Sequence, residues 1–306
     1  MRKFIRLALT CTVLAAALFT PASAVPPARA DGRTYIVEIS MMPKEVVCIG
    51  EPTPVSALFY FGPAEEDRSK HATIPGGTIV LRGMVGTIKP PSFPAKTIPG
   101  DEIFTYTGKS FGREQLQATL NTRTGTLATS PMQSFDVREC NYQLSIDAKV
   151  IVHAEGTLIT VLLKSKGKIF VSETEVKGTL PIDLRFEAQS EDPATECKVD
   201  PEVKTTTLLD VTGARSSGFW TNNDLLNLNF TYANFEQIPR ANVKCYDKTK
   251  HYKIKDFPLP MPSKYNPKTD LPTSVEIKNF EPLTLPLGKD GSVTFKVTKL
   301  PGSGGK

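Results

Sequence analysis

From Leu144 to Val152 every second side chain is apolar. Leu144, Ile146, Ala148, Val150 and Val152 share one face, and Ser145, Asp147, Lys149 and His153 take the other. A period of two puts alternate residues on opposite faces of an extended chain, which predicts a half-buried β-strand. The same alternation returns at Val55, Ala57, Phe59 and Phe61, and again at Leu180, Ile182, Leu184 and Phe186. Short runs rich in Val, Ile, Thr, Phe and Tyr, bounded by Gly, Pro, Asn and Asp, predict strands over 35–40, 46–48, 55–61, 78–85, 103–107, 115–121 and 133–137. After Cys140 the pattern predicts a four-stranded antiparallel meander, 144–152, 158–163, 169–176 and 180–186. Its turns are placed at 154–156, Lys166-Gly167 and Lys177-Gly178. Further strands are predicted over 205–211, 225–232, 242–246, 275–278, 283–287 and 293–299, the last two joined through Asp290-Gly291, a strong hairpin signal. The 25 scattered prolines exclude long helices, because an interior proline removes a donor and clashes with the preceding turn. A proline-studded stretch, 256–272, is expected to cross the sheet in extended form.

The fold class is therefore all-β. Short strands at this spacing before Cys140 resemble those of an immunoglobulin-like β-sandwich, at the level of architecture. No tryptophan lies between Cys48 and Cys140, and no Tyr-x-Cys precedes Cys140, so a bridge between these two would act as an end-to-end staple. The larger antiparallel β domain that follows fits a sandwich or a barrel closed around an apolar interior. The expected division is a signal peptide over 1–24, an immunoglobulin-like domain over 25–140, an antiparallel meander domain over 141–300 and a flexible tail over 301–306.

The first residues carry Arg2, Lys3 and Arg6, an apolar run over 7–19, and Ala22-Ser23-Ala24. This is the layout of a bacterial secretory signal peptide, too short to span a bilayer, and no transmembrane segment is expected in the mature chain. Cleavage changes the charge: 37 basic residues against 32 acidic fall to 34 against 32, a net charge of +2. That balance gives no support to a nucleic-acid partner. Cys48, Cys140, Cys197 and Cys245 remain, an even number in an exported chain, and read as two disulfides. Three pairings exist; Cys48 with Cys140 and Cys197 with Cys245 is preferred because each bridge stays within one half. Zinc would want closely spaced cysteine pairs, which are absent.

Gly108-Lys109-Ser110-Phe111-Gly112 spells the Gly-x-Ser-x-Gly of a nucleophile elbow. The elbow needs a helix after the serine. Leu116, Ala118 and Leu120 instead alternate with Gln115, Gln117, Thr119 and Asn121, so a strand follows and the segment is expected to be a hairpin turn. The acidic loop Glu65-Glu66-Asp67 with His71, and the group Glu191, Asp192 and Glu196, read as solvated loops rather than metal sites. Neither a metal nor any other cofactor is expected.

The binding candidates lie elsewhere. From Lys244 to Lys268 seven lysines face two aspartates, interleaved with tyrosines. Tyr246, Lys248, Lys250, Lys253 and Lys255 could hold an anionic polymer, or could protect a sheet edge. Phe219 and Trp220 stand in a turn with Asn222 and Asn223, suited to stacking on a sugar. The expectation is an exported, non-catalytic binding or structural protein of the bacterial cell surface or periplasm, engaging an anionic polysaccharide, a cell-wall polymer or a protein partner. The alternatives are a small-molecule or lipid carrier built on a barrel, and a surface-assembly subunit pairing through an exposed strand at 293–297.

Overall fold

The computed structural model describes residues 29–30, 33–62, 72–217, 224–232, 241–259 and 271–301. Among these the chain is all-β, without a helix. Its N-terminal half forms two sheets. One runs in the order β1 (Arg29–Ala30), β2 (Arg33–Met41), β4 (Pro52–Phe61), β10 (Gly100–Gly108), β7 (Gly86–Lys89). The other runs β3 (Val47–Cys48), β13 (Gln133–Arg138), β11 (Gly112–Thr122), β6 (Thr78–Arg82), β8 (Ser92–Pro94), with β12 (Gly125–Thr129) also on β11. A two-residue pair, β5 (Ala72–Thr73) with β9 (Thr97–Ile98), lies beside them. Val55, Ala57 and Phe59 of the first sheet and Leu116, Ala118 and Leu120 of the second close one dry core between the sheets. These are the residues the alternation predicts.

Two features of this half differ from expectation. The strand predicted over 78–85 ends at Arg82, because 83–85 crosses from one sheet to the other. Glu114, fully buried, holds that crossing: its carboxylate accepts the N–H groups of Met84, Val85 and Gly86, as well as its neighbour Gln115's. Backbone donors around a buried carboxylate satisfy a charge that would otherwise be very unfavourable there. Ser110 lies in a second crossing. β10 and β11 belong to different sheets, so 109–111 joins sheets and is not a hairpin, although a strand does follow it.

The C-terminal half is an eight-stranded antiparallel sheet. Its order is β22 (Ser274–Lys278), β19 (Asp224–Tyr232), β18 (Lys204–Ser217), β16 (Val176–Ser190), β15 (Thr157–Val171), β14 (Tyr142–Ala154), β24 (Gly291–Lys299), β23 (Leu283–Leu287). The two edge strands follow each other in the chain with only residues 279–282 between them. Five Cα steps span at most about 19 Å, so the sheet must curl until its edges nearly meet. Asn279 and Phe280 make that link in left-handed backbone, φ 51° and 58°. The Asn279 side chain accepts from the Asp224 N–H at 3.0 Å, and its own N–H returns a bond to the Asp224 carbonyl at 2.7 Å. Phe230 and Phe295, from strands near opposite edges, stack across the interior with centroids 5.3 Å apart. The result is a nearly closed, barrel-like sheet with a filled apolar core.

The meander has three strands where four were predicted. Lys166-Gly167 and Lys177-Gly178 are not turns; they sit inside β15 and β16, and one turn at 172–175 replaces them, while the turn at 155–156 forms as expected. Ser172 makes it, its hydroxyl accepting the N–H groups of Thr174 and Glu175 at 3.3 and 3.0 Å. The glycines are there for contact: a Cβ on Gly178 would stand 2.7 Å from Ile169 Cγ2. β24 is also not an edge. It pairs with β14 on one side along 292–299 and with β23 on the other over 291–295, so of the 293–297 stretch only Lys296 and Val297 lack a ladder partner on the second side.

A three-stranded sheet, β17 (Thr195–Asp200), β20 (Asn242–Asp247), β21 (Lys253–Pro258), covers one end of the barrel and adds Cys197, Val243, Cys245 and Phe257 to its core. Both preferred disulfides form. Cys197 and Cys245 face each other in register across β17 and β20, and Cys48 joins Cys140 at the junction of the halves. At that junction Met41 packs on Leu208, and Lys168 pairs with Glu51 at 3.3 Å. Arg138 pairs with Glu175 at 3.2 Å and lies over the Phe170 ring.

Candidate functional site

One hairpin brings together Tyr246, Lys248, Lys250, Lys253 and Lys255. β20 and β21 pair antiparallel, and Asp247 builds the turn between them. Its carboxylate accepts the N–H groups of Thr249 and Lys250 at 2.8 and 2.9 Å and the Thr249 hydroxyl at 2.5 Å. The hydroxyl bond comes first among the interactions that hold the Asp247 carboxyl below the usual range. His251 takes the left-handed position, φ 54°, and donates its N–H to the Asp247 carbonyl at 2.8 Å. An Asp that bonds its own downstream backbone is a local turn former, and the sequence Asp247-Lys-Thr-Lys-His251 carries it.

The lysines of this hairpin differ in what holds them. Lys244 meets Asp200 at 2.7 Å, Lys255 meets Glu155 at 3.1 Å, and Lys253 meets Asp256. Lys248 donates to the Pro193 carbonyl at 2.9 Å, tying the tip to the neighbouring loop. Lys250 lies over the Tyr252 ring at 5.9 Å, a ring 51 % exposed, and no carboxylate pairs with it among the described residues. Tyr246 is half-buried beneath Lys198, 5.4 Å from its ring. The hairpin tip thus presents Lys248, Lys250 and Tyr252, while Lys253 and Lys255 are neutralised in place. Phe219 and Trp220 lie outside the described residues, as does the loop with Glu65, Glu66, Asp67 and His71.

Beside the tip, an open cleft of about 360 Å³ is lined by Glu191, Asp192, Glu196 and Lys248. Two of its three acids are committed. Asp192 accepts from the Ala194 N–H and the Thr195 hydroxyl at 2.9 and 3.0 Å, and Glu191 contacts His153 Nδ1 at 2.8 Å. Among the described residues no group of His, Cys, Asp and Glu is arranged to hold a metal ion.

The sequence reading missed a second set of lysines. On the outer face of the barrel, β15 points Lys164, Lys166 and Lys168 outward at alternate positions. Lys166 and Lys296 flank Ser145 in one register row, and Lys149 lies on β14 opposite Leu162. The signal was present in Lys164-Ser165-Lys166-Gly167-Lys168, but reading Lys166-Gly167 as a turn broke the alternation.

No protein-family model matches the chain, and no curated protein is similar enough to it to lend a name or an activity.

Proposed function

We propose that the protein is an exported, non-catalytic binding protein of the bacterial cell surface or periplasm that engages an anionic polymer. The observation that carries this reading is the gathering of Tyr246, Lys248, Lys250, Lys253 and Lys255 on a single well-fixed hairpin, with Lys248, Lys250 and Tyr252 at its exposed tip. Cations and an aromatic face together suit a flexible polyanion. The two disulfides fit maturation in an oxidising compartment, in line with the leader read from residues 1–24. The two packed sheets before Cys140 support an immunoglobulin-like spacer or docking domain over 25–140, with 141–300 as the recognition domain. The carrier reading is weaker, because side chains such as Leu144, Ile146 and Phe295 fill the barrel's interior.

The test is to replace Lys248, Lys250, Lys253 and Lys255 together by Ser and titrate the protein with a soluble envelope polyanion by calorimetry. Affinity is expected to fall about tenfold, in keeping with the loss of one or two exposed cation contacts. Tm should hold within a few degrees, since exposed pairs such as Lys255–Glu155 contribute about 0–1 kcal/mol. Unchanged affinity would sink the assignment to this hairpin.

A further inference from the structure

A short strap, 42–46, ties the N-terminal half to the barrel wall. It leaves β2 at Met41 and runs into β3, with Pro43 and Val46 buried and Lys44 exposed. Its seat is the outer face of β16 and β18. Met41 packs on Leu208, and the Asp210 Oδ1 takes both the Lys44 N–H at 3.2 Å and the Thr179 hydroxyl at 2.6 Å. The other carboxylate oxygen, Oδ2, is buried without a donor. A half-satisfied carboxylate in a dry seam is unfavourable as an ion and far less so as a neutral acid. A second acid faces it, Glu45 on the strap itself. The charged groups around the two are Lys44 from the strap, Lys177 and Glu175 from β16 and the turn before it, and Asp136 from β13. Lys177 and Arg138 are already engaged by Glu175, each at 3.2 Å. The ladder neighbours of Asp210, Thr179 on β16 and Thr231 on β19, do not titrate.

We propose that the strap is a pH-sensitive latch: it sits firmly on β16 and β18 in mildly acidic surroundings and loosens toward neutral pH, when Asp210 and Glu45 both ionise across the seam. Burial comes first in raising the Asp210 carboxyl, against the lowering effect of Thr179 and of the Lys44 and Glu45 backbone. Burial also comes first for Glu45, opposed by Lys177 and reinforced by the charge of Asp210. Both groups keep protons in the closed seam that an open one releases. Closure is therefore strongest below their ordinary values and weakens as pH rises through the raised ones. The neighbouring tie carries the opposite sign. Glu175 is held below the usual range, first by its bond to Lys177 and then by the Lys177 and Arg138 charges, so Arg138–Glu175 persists at neutral pH. With Lys168–Glu51 and the chain itself it keeps the halves together while the strap alone lifts. Lifting uncovers Met41 and Leu208, which are 4 % and 0 % exposed when the latch is shut.

The experiment is native-state hydrogen exchange on the full mature protein at about pH 5 and pH 7, each with a series of urea concentrations below the unfolding transition. Rates are expressed as protection factors, which removes the pH dependence of the exchange chemistry. Local opening is insensitive to urea, whereas global unfolding is steeply sensitive to it. The Lys44 and Glu45 amides are expected to exchange by urea-insensitive opening and to lose protection between pH 5 and 7. Ala57 and Ile146, in strands paired on both sides, report global unfolding. Asp210→Asn keeps the acceptor for Lys44 and Thr179 and removes the charge, so its Lys44 and Glu45 protection should stay level across the same range. Thr179→Val removes the hydroxyl that favours the ionised form, and its loss by pH 7 should exceed the parent's. The latch is overturned if protection at Lys44 and Glu45 is level in the parent, if it falls equally in Asp210→Asn, or if these amides exchange only through the urea-sensitive unfolding that exposes Ala57 and Ile146. Should Asp210→Asn fail to fold, a Thr179→Val loss no larger than the parent's would overturn it as well.

Discussion

Asp210 is a surface position turned into a buried one by what covers it. It points outward from β18, yet it is 3 % exposed because the 41–45 segment of the N-terminal half lies over it. Its Oδ1 accepts the Thr179 hydroxyl at 2.6 Å and the Lys44 N–H at 3.2 Å, and its Oδ2 has no hydrogen-bond partner. Burial raises the carboxyl above its ordinary value of 3.8, against the lowering effect of Thr179, of the Lys44 and Glu45 backbone, and of the Lys44 charge. Glu45, facing it with Lys177, Glu175 and Asp136 around, is raised as well, first by burial. The sign follows from proton counting. Between 3.8 and the raised value the folded chain keeps a proton that the unfolded chain has released, so this group's contribution is fully present at lower pH and is lost as pH rises through the folded value. Asp210→Asn should flatten that slope and raise stability at pH 7 relative to the parent, as read from urea midpoints across pH 4 to 7. Asp210→Ala should instead cost about 1–3 kcal/mol by leaving the Lys44 and Thr179 donors unmet. A steeper slope in the Asn variant would refute the assignment. None of this is legible in sequence, where Leu209-Asp210-Val211 reads as ordinary alternation.

Among elements, strands were legible wherever one face is dry and the other wet. β4, β11, β14, β19 and β24 all follow from their own alternation. What failed was the meaning of glycine. In Lys166-Gly167 and Lys177-Gly178 local sequence predicts a turn, but the missing side chains make room for Leu180 and Ile169 across the pair. The distinction depends on a neighbouring strand that local sequence does not name. The same logic ranks two substitutions. At Gly213 a Cβ would sit 2.0 Å from the Asn227 carbonyl oxygen, backbone that cannot yield without breaking the β18–β19 pairing. At Gly167 it would sit 3.1 Å from Leu180 Cγ, a side chain that can move. Gly213→Ala is therefore expected to cost about 3 kcal/mol and Gly167→Ala about 1 kcal/mol in chemical denaturation; equal costs would contradict this. The hairpin site was half legible for a similar reason. Its lysines are contiguous, but the groups that neutralise or tether them, Glu155, Asp200 and Pro193, come from far along the chain.

At the scale of the molecule, spacing was enough to choose the disulfides but not to see the barrel. Closure needs β14 to pair with β24, Tyr142 opposite Lys299, and no local pattern reports such a partner. The Cys48–Cys140 bridge encloses nearly the whole N-terminal half, with a sequence separation of 92. The loop-entropy model gives it roughly 4–5 kcal/mol, so replacing both cysteines by Ser should lower the urea midpoint of that half more than that of the barrel. The same connectivity also decides how the protein carries tension. A pull between β2 and the barrel passes from Cys48 through sulfur to Cys140, and residues 49–139 lie outside the loaded path. Their sheets need not resist it, and only reduction of the bridge would let them pay out, adding roughly 300 Å of slack. In an oxidising setting the N-terminal half would behave as a short, inextensible link, and under reducing conditions as a long extensible one.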